Sequence, residues 1–243
     1  MNIPKLVERK FLRFKDQPIT APLYEIVIAR NGLFKRAKRR EMTASIELSA
    51  FAVEIPELAE GVASIELAEK IPARIFEEIL KHARNSTDVA NFTENLYAVF
   101  LNEESGSYVW EEISRRRNFG STIARDDSPA YQKAILEIHT HPSGCLHFSR
   151  QDNHDESGKF RLFGILVDIH TRKPSIRLRI GLYDSFWEIP LETVCDILPE
   201  NLTDLVKEEQ LAQFSLNREV QTISYICAED YQFSQKHLYL ENL

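Results

Sequence analysis

A short, mostly apolar run, AILEI (134–138), leads directly into HTHPSGCLHFSRQD (139–152), and no other junction in the chain constrains the fold as tightly. A run of that length bounded by turn residues reads as a buried strand. Side chains alternate along a strand, so His139 and His141 project to the same side. Pro142-Ser143-Gly144 then turns the chain. Ser149-Arg150-Gln151-Asp152 has the spacing with which a helix opens, the serine and the acid both serving its first turn. A strand must end, a turn must form and a helix must begin within this one segment.

The histidine usage points to chemistry. Three of the seven histidines (His139, His141 and His147) fall in this segment. His139 and His141 can aim two imidazole nitrogens at one point, and Asp152 can fold back as an oxygen ligand. Two histidines and a carboxylate, with a fourth position left for water, compose a hydrolytic zinc site. Each feature also has a structural explanation, His-x-His-Pro as a strand end and Ser-x-x-Asp as a helix cap, and for Ser149 the two roles are compatible. His147 and His154 read as exposed loop histidines, Cys145 as an incidental loop residue, and Asp155 and Glu156 as first-turn helix acids.

Elsewhere, PLYEIVIARNGLFKRA reads as two strands joined at Asn31-Gly32, a pair suited to the positive φ of a tight hairpin turn. TASIELSAFAVEI (43–55) continues as strand until Pro56. After Pro72, Ile75, Ile79, Leu80 and Ala83 recur at helical spacing, so IPARIFEEILKHAR forms an amphipathic helix that NSTDVANFT ends. LYAVFLNEE and SYVWEEI pair around Glu104-Ser105-Gly106. FRLFGILVDIH and IRLRIGLYDSFWEI are two further strands with TRKPS as their turn. In the second, Ile176, Leu178, Ile180 and Leu182 alternate with Arg177, Arg179 and Gly181, which predicts one buried and one solvated face. Helical pieces follow Pro190. The class is mixed α/β, or α+β.

With 43% hydrophobic and 28% charged residues, the chain has the composition of a globular protein. No apolar run approaches the ~20 residues that span a bilayer, and the charged N-terminus has no signal-peptide core. Cys145, Cys195 and Cys227 are widely spaced and lack a CxxC pair, which favours reduced thiols and a cytoplasmic location. Residues 1–45 carry eleven Lys or Arg against four Asp or Glu, in a chain of net charge −7. FKRAKRR (34–40) is therefore a candidate nucleic-acid contact, as is Arg115-Arg116-Arg117, but few aromatics interleave and a solvated strand is the simpler reading. Nucleic acid is not the expected partner.

His139-Thr140-His141, Pro142 and Ser149-Arg150-Gln151-Asp152 resemble the JAMM signature of the JAB/MPN (Mov34) metalloproteases. The resemblance implies a central mixed sheet flanked by helices, with His139, His141 and Asp152 binding Zn²⁺ and Ser149 stabilising the tetrahedral intermediate. It also implies an upstream glutamate as general base. The family places that glutamate after a long helix and just before the first core strand, which here falls on Glu94 in FTENLYAVFL. The family's usual glycine shortly after it is replaced by Tyr97. Glu103, Glu104, Glu111 and Glu112 are the alternatives, each otherwise a solvated hairpin charge. RNGLFKRAKRRE, IPARIFEEILKHAR and FSRQDNHDESGKFRLFGILVDIHTRKPSIRLRIGLYDSFWEIP are similar to the PRTRC branch of that family, which belongs to plasmid-associated bacterial gene sets. The HPSG turn also resembles the RadC branch, but the helix-hairpin-helix segment of that branch is missing.

The resemblance implies an isopeptidase or processing protease acting at the C-terminal tail of a ubiquitin-like protein. Its implied partners are that protein or its conjugates, and a ThiF-like activating enzyme of the same gene set. The expected organisation is a β-rich N-terminal extension (1–68), a JAB/MPN-like domain (69–198) and a C-terminal extension (199–243). Two other classes remain open: a metal-free JAB scaffold that binds a ubiquitin-like partner, and a plasmid-maintenance protein contacting DNA through the basic hairpin.

Overall fold

A computed structural model describes residues 5–86, 93–113, 115–118, 121–124 and 128–213. The fold is mixed α+β. Cys227 and most of the segment expected to end the first helix lie outside the described residues.

The N-terminal part is a sheet in the order β1 (Val7–Phe11), β2 (Tyr24–Ile28), β3 (Gly32–Lys38), β4 (Met42–Ala50), β5 (Ser64–Leu67). The β2–β3 hairpin turns one residue earlier than expected: the Ala29 N–H donates to the Gly32 carbonyl at 2.9 Å, so Arg30 and Asn31 form the turn and Gly32 opens β3. Gly32 does not adopt a left-handed φ; a Cβ there would sit 2.5 Å from the Ser49 carbonyl oxygen, so close backbone approach is what excludes a side chain. The Asn31 amide brackets the backbone of Gly61, accepting from its N–H at 2.7 Å and donating to its carbonyl at 3.0 Å.

The helix α1 (Ala73–Ser86) buries Ile75, Phe76, Ile79, Leu80 and Ala83, the residues its 3.6-residue periodicity selects. β6 (Leu96–Asn102) and β7 (Ser107–Glu112) form a hairpin, with Gly106 at φ 63° in the turn. β8 (Arg115–Asn118) pairs with β9 (Ser121–Ala124), and α2 (Pro129–Lys133) precedes β10 (Leu136–Thr140). α3 (Arg150–Asp155), β11 (Phe160–Val167), β12 (Ser175–Leu182), β13 (Phe186–Ile189) and β14 (Thr203–Asp204) follow, then a helix over 205–213. The larger sheet runs β13-β12-β11-β10-β6-β7, with β14 beside β12.

IRLRIGLYDSFWEI, expected as one strand, is two. Tyr183 and Asp184 take left-handed φ values of 45° and 67° and reverse the chain between β12 and β13. An aspartate tolerates that conformation, and here its carboxylate also accepts the Gly158 N–H at 2.8 Å.

β10 and β11 are parallel neighbours, Leu136 facing Leu162 and His139 facing Ile165. A parallel pair cannot be closed by a tight turn and needs a crossover of a dozen or more residues. Residues 141–159 are that crossover, and they contain the whole motif after His139.

One sheet face carries Leu136, Ile138, Leu162, Leu178 and Ile180 in a continuous core with α1 and with Ala37, Met42, Ala44 and Ile46 of the N-terminal sheet. The other face presents Glu137, His139, Arg161, Arg177 and Arg179. It is not solvated as the alternation suggested: Arg177 is 1% and Arg179 5% exposed. The crossover and the helix over 205–213 cover it, and carboxylates neutralise it. Arg161 pairs with Glu137, Arg177 with Glu188 and Glu209, and Arg179 with Glu156. Buried charge is tolerated only when paired in this way.

Three of the five basic residues of the cluster are likewise turned inward, while Lys38 and Arg40 are exposed. Lys35 is buried and donates to the Tyr183 carbonyl and the Ser185 hydroxyl. Arg36 donates to the Gln17 carbonyl. Arg39 pairs with Glu41 at 2.8 Å and reaches the carbonyls of Lys133, Ala134 and Phe160, tying the N-terminal sheet to the start of β10. Arg40 makes an exposed pair with Glu103. Arg39→Ala is therefore expected to cost about 1–2 kcal/mol in urea denaturation, whereas Arg40→Ala leaves the midpoint unchanged because an exposed pair contributes little.

Candidate metal centre

His139 lies inside β10, one residue further into the sheet than the sequence suggested, with Leu96 of β6 and Ile165 of β11 as its neighbours. His141 follows the strand, its N–H donating to the Leu166 carbonyl at 2.9 Å, so it stays extended and shares the side of His139. Pro142, Ser143 and Gly144 then turn the chain. Gly144 has φ 80°, and its N–H and the Ser143 hydroxyl both donate to Asp168. At the far end of the loop, Ser149 caps α3 in a capping box: its hydroxyl accepts from the Asp152 N–H at 3.1 Å, and the Asp152 carboxylate accepts from the Ser149 N–H.

These elements bring three ligating atoms to one point. His139 Nε2 and His141 Nε2 are 2.9 Å apart, and the Asp152 carboxylate oxygens lie 3.2 Å from His139 Nε2 and 3.4 Å from His141 Nε2. Ligands held 2.0–2.1 Å from a four-coordinate ion are about 3.3 Å from each other, and each imidazole meets its own carboxylate oxygen at close to that spacing, Oδ1 facing His139 and Oδ2 facing His141. Among the described residues this is the one His/Cys/Asp/Glu group that converges enough to hold a metal ion. His147 and His154 are exposed and outside it; His147 is a loop residue as expected, whereas His154 lies in α3.

The donor state also fits. His141 Nδ1 lies 3.0 Å from the Cys145 carbonyl oxygen. A carbonyl only accepts, so Nδ1 carries the hydrogen and the Nε2 lone pair faces the other two ligands. Cys145 thus contributes through its backbone, while its side chain is exposed. Burial would raise the Asp152 carboxyl, but hydrogen bonds from His139 and His141 outweigh it and hold the group far below the usual carboxylate range. Burial pulls His141 down, yet the Asp152 and Cys145 contacts, with the charges of Asp152 and Glu94, raise it overall. Without a metal the site therefore favours a proton on His141, and a divalent cation would compete for the same lone pair.

Glu94 lies at the edge of this group. Leu96 pairs with His139, and Asn95 exchanges contacts with Thr140, its N–H donating to the Thr140 hydroxyl at 2.9 Å and its carbonyl accepting at 3.0 Å. The register thus brings half-buried Glu94 level with His141, whose proton affinity its charge increases. Glu103, Glu104, Glu111 and Glu112 stay on the exposed β6–β7 hairpin, Glu103 against Arg40 and Glu112 3.8 Å from His82. Tyr97 is fully buried, its hydroxyl within hydrogen-bond distance of His82 and Asn95.

Glu156 is not a first-turn acid. α3 is only six residues long and Glu156 is its C-cap, buried against Arg179. Burial pushes its carboxyl up, while the charge and the hydrogen bonds of Arg179 pull the other way. Arg177 and Arg179 were not legible as part of the site, since arginines at every second position of a strand read equally well as a solvated face.

The shifts set a pH dependence for the metal-free protein. Asp152 is depressed, so its contribution is present above the unfolded value near 3.8 and is lost as pH falls through the native value. His141 is raised, so its contribution is full below 6.5 and is lost as pH rises through its native value. Urea midpoints in a chelator are expected to fall as pH rises past about 6.5, and Asp152→Asn is expected to flatten that fall. A divalent cation held by the three side chains should reverse it, binding more tightly as pH rises because it competes with the His141 proton.

Compared with known proteins, the chain matches no protein-family model and no curated protein. Among the described residues no helix is long and apolar enough to cross a membrane.

Proposed function

We propose that this protein is a JAMM-type zinc hydrolase that cleaves a peptide or isopeptide bond at the C-terminal tail of a ubiquitin-like protein. The observation that carries the reading is the convergence of His139 Nε2, His141 Nε2 and the Asp152 carboxylate at 2.9–3.4 Å. The resemblance of their spacing to the JAMM signature supplies the substrate class. Two imidazoles and one carboxylate suit Zn²⁺, which when bound supplies Lewis acidity and lowers the pKa of water toward ~7.

The chain's own groups divide the remaining work. Glu94, beside His141, takes the proton of the attacking water and returns it to the departing amine. The Ser149 hydroxyl accepts the Asp152 N–H, which leaves its hydrogen available to donate to the carbonyl oxygen as charge develops there. Asp152 holds its two histidines and caps the helix that carries it, so metal binding and the start of α3 depend on the same carboxylate. The inward use of Lys35, Arg36 and Arg39 removes much of the basic surface on which a DNA-contacting role would rest.

The test is metal content followed by turnover. Wild-type protein is expected to hold about one zinc per chain by elemental analysis, and His139→Ala/His141→Ala none. Glu94→Gln should keep the zinc and lose about 10²–10⁴ in turnover of a ubiquitin-like fusion or a lysine-linked conjugate. Ser149→Ala should lose about 10²–10³ in kcat. Wild-type protein that takes up no metal even after zinc is added back would leave a ubiquitin-like-binding scaffold as the better account.

A further inference from the structure

The arginines of β12 sit where they can control the metal ligands. Arg179 Nε donates to Glu156 Oε2 at 2.8 Å, Nη2 donates to the same oxygen, and Nη1 donates to Asn153 Oδ1 at 2.6 Å. Its guanidinium also stacks on the rings of Phe148 and Phe186, at 3.8 and 4.1 Å. Three of these four partners belong to the crossover: Phe148 precedes the cap Ser149, Asn153 follows the ligand Asp152, and Glu156 ends the helix. Phe148 in turn meets the His139 ring edge-on, with centroids 6.4 Å apart.

α3 by itself has little to hold it. It is six residues long and buries none of its own residues, so neither helix propensity nor packing determines its position. Glu156, just past its end, is 4% exposed and is the group by which the helix is pulled onto the sheet. Arg177 anchors the other half of the crossover, its Nε donating to the Leu146 carbonyl at 2.8 Å, one residue beyond the carbonyl that orients His141.

We infer that Arg179 is a positioning residue for the metal centre: its planar, stacked guanidinium sets where α3 lies, and so where Asp152 and Ser149 stand relative to His139 and His141. This rests on the metal-binding reading above. Arginine suits the task because it presents several donors in one rigid plane while both faces stay free to stack. A lysine at 179 would keep the charge but lose both the fork and the stacking. Groups one step removed from a metal commonly change its affinity 10- to 100-fold when altered.

A general loss of stability must be separated from a loss of positioning, and Arg161 supplies the comparison. It lies on the same face, as deeply buried, and pairs with Glu137, but its ion-pair partner is outside residues 139–156. Zinc affinity would be measured by competition with a chromophoric chelator on full-length wild type, Arg179→Lys, Arg179→Met/Glu156→Leu, Asn153→Ala and Arg161→Met. Each would also be loaded with cobalt, whose visible spectrum reports ligand geometry. The Arg179 variants are expected to bind zinc about 10- to 100-fold more weakly with altered cobalt bands. Arg161→Met is expected to melt earlier yet bind within about twofold of wild type. Asn153 is exposed, so Asn153→Ala tests the idea even where the buried variants fail to fold, with an expected loss of about three- to tenfold.

Wild-type affinity and spectrum in Asn153→Ala and in whichever Arg179 variants fold would overturn the inference and leave the metal reading intact. Equal losses in Arg179→Lys and Arg161→Met would also overturn it. Wild-type protein that binds no zinc, alongside a His139→Ala control that behaves identically, would overturn the metal reading and this inference together.

Discussion

The parallel pairing of β10 with β11 is the constraint from which the candidate site follows. Parallel neighbours must be joined by a long connection that leaves the end of one strand and returns to the start of the next across a sheet face. In this chain the connection is residues 141–159. It leaves carrying His141, immediately after His139, and it contains a helix whose first turn carries Ser149 and Asp152. Because the crossover leaves from the carboxyl end of β10, the helix start and the strand end meet there, the place where sheets with crossover helices generally bind ligands.

Electrostatics then holds the crossover down. The face it covers carries three guanidiniums and a glutamate on strands β10 to β12, and water is largely excluded from them. A buried cation without a partner costs several kcal/mol, and removing one member of a buried pair has a similar effect. The carboxylates of Glu156, Glu188 and Glu209 come from three segments, so neutralising Arg177 and Arg179 draws the crossover, β13 and the helix over 205–213 onto one surface. The requirement that buried charge be paired does here what apolar packing does on the opposite face, where α1 and the N-terminal sheet close over Ile138, Leu162 and Leu178. The basic residues of 35–39 follow the same logic, since most find acceptors within the protein rather than in solvent.

Much of this is legible in the sequence. The periodicity of Ile75, Ile79, Leu80 and Ala83 identified α1 and its buried face, because a 3.6-residue repeat of large apolar groups has few other uses. The His-x-His spacing placed two imidazoles on one side, and Ser149-x-x-Asp152 predicted a capping box that is present. Less legible were features that depend on contacts distant in sequence. The solvated face expected for β12 is buried because three other segments pair with its arginines. Glu156, expected as a first-turn acid, ends a helix too short to be recognised by periodicity. Asn31-Gly32 marks a hairpin, but the turn itself falls on Arg30-Asn31, and Gly32 is needed for the approach of Ser49, a residue on another strand.

The sequence by itself determined the mixed α+β class, the amphipathic helix, the hairpins and the identity of a candidate ligand trio, because each depends on spacing along one or two adjacent elements. Only the tertiary structure decided that His139, His141 and Asp152 converge to 2.9–3.4 Å, that Glu94 stands level with His141, and that Arg177 and Arg179 are buried struts. The physical reason is that convergence is a property of strand register and of paired charge. Neither can be read from local spacing, since the pairing of β6 with β10 and the ion pairs of Arg177 with Glu209 and of Arg179 with Glu156 join residues more than twenty positions apart.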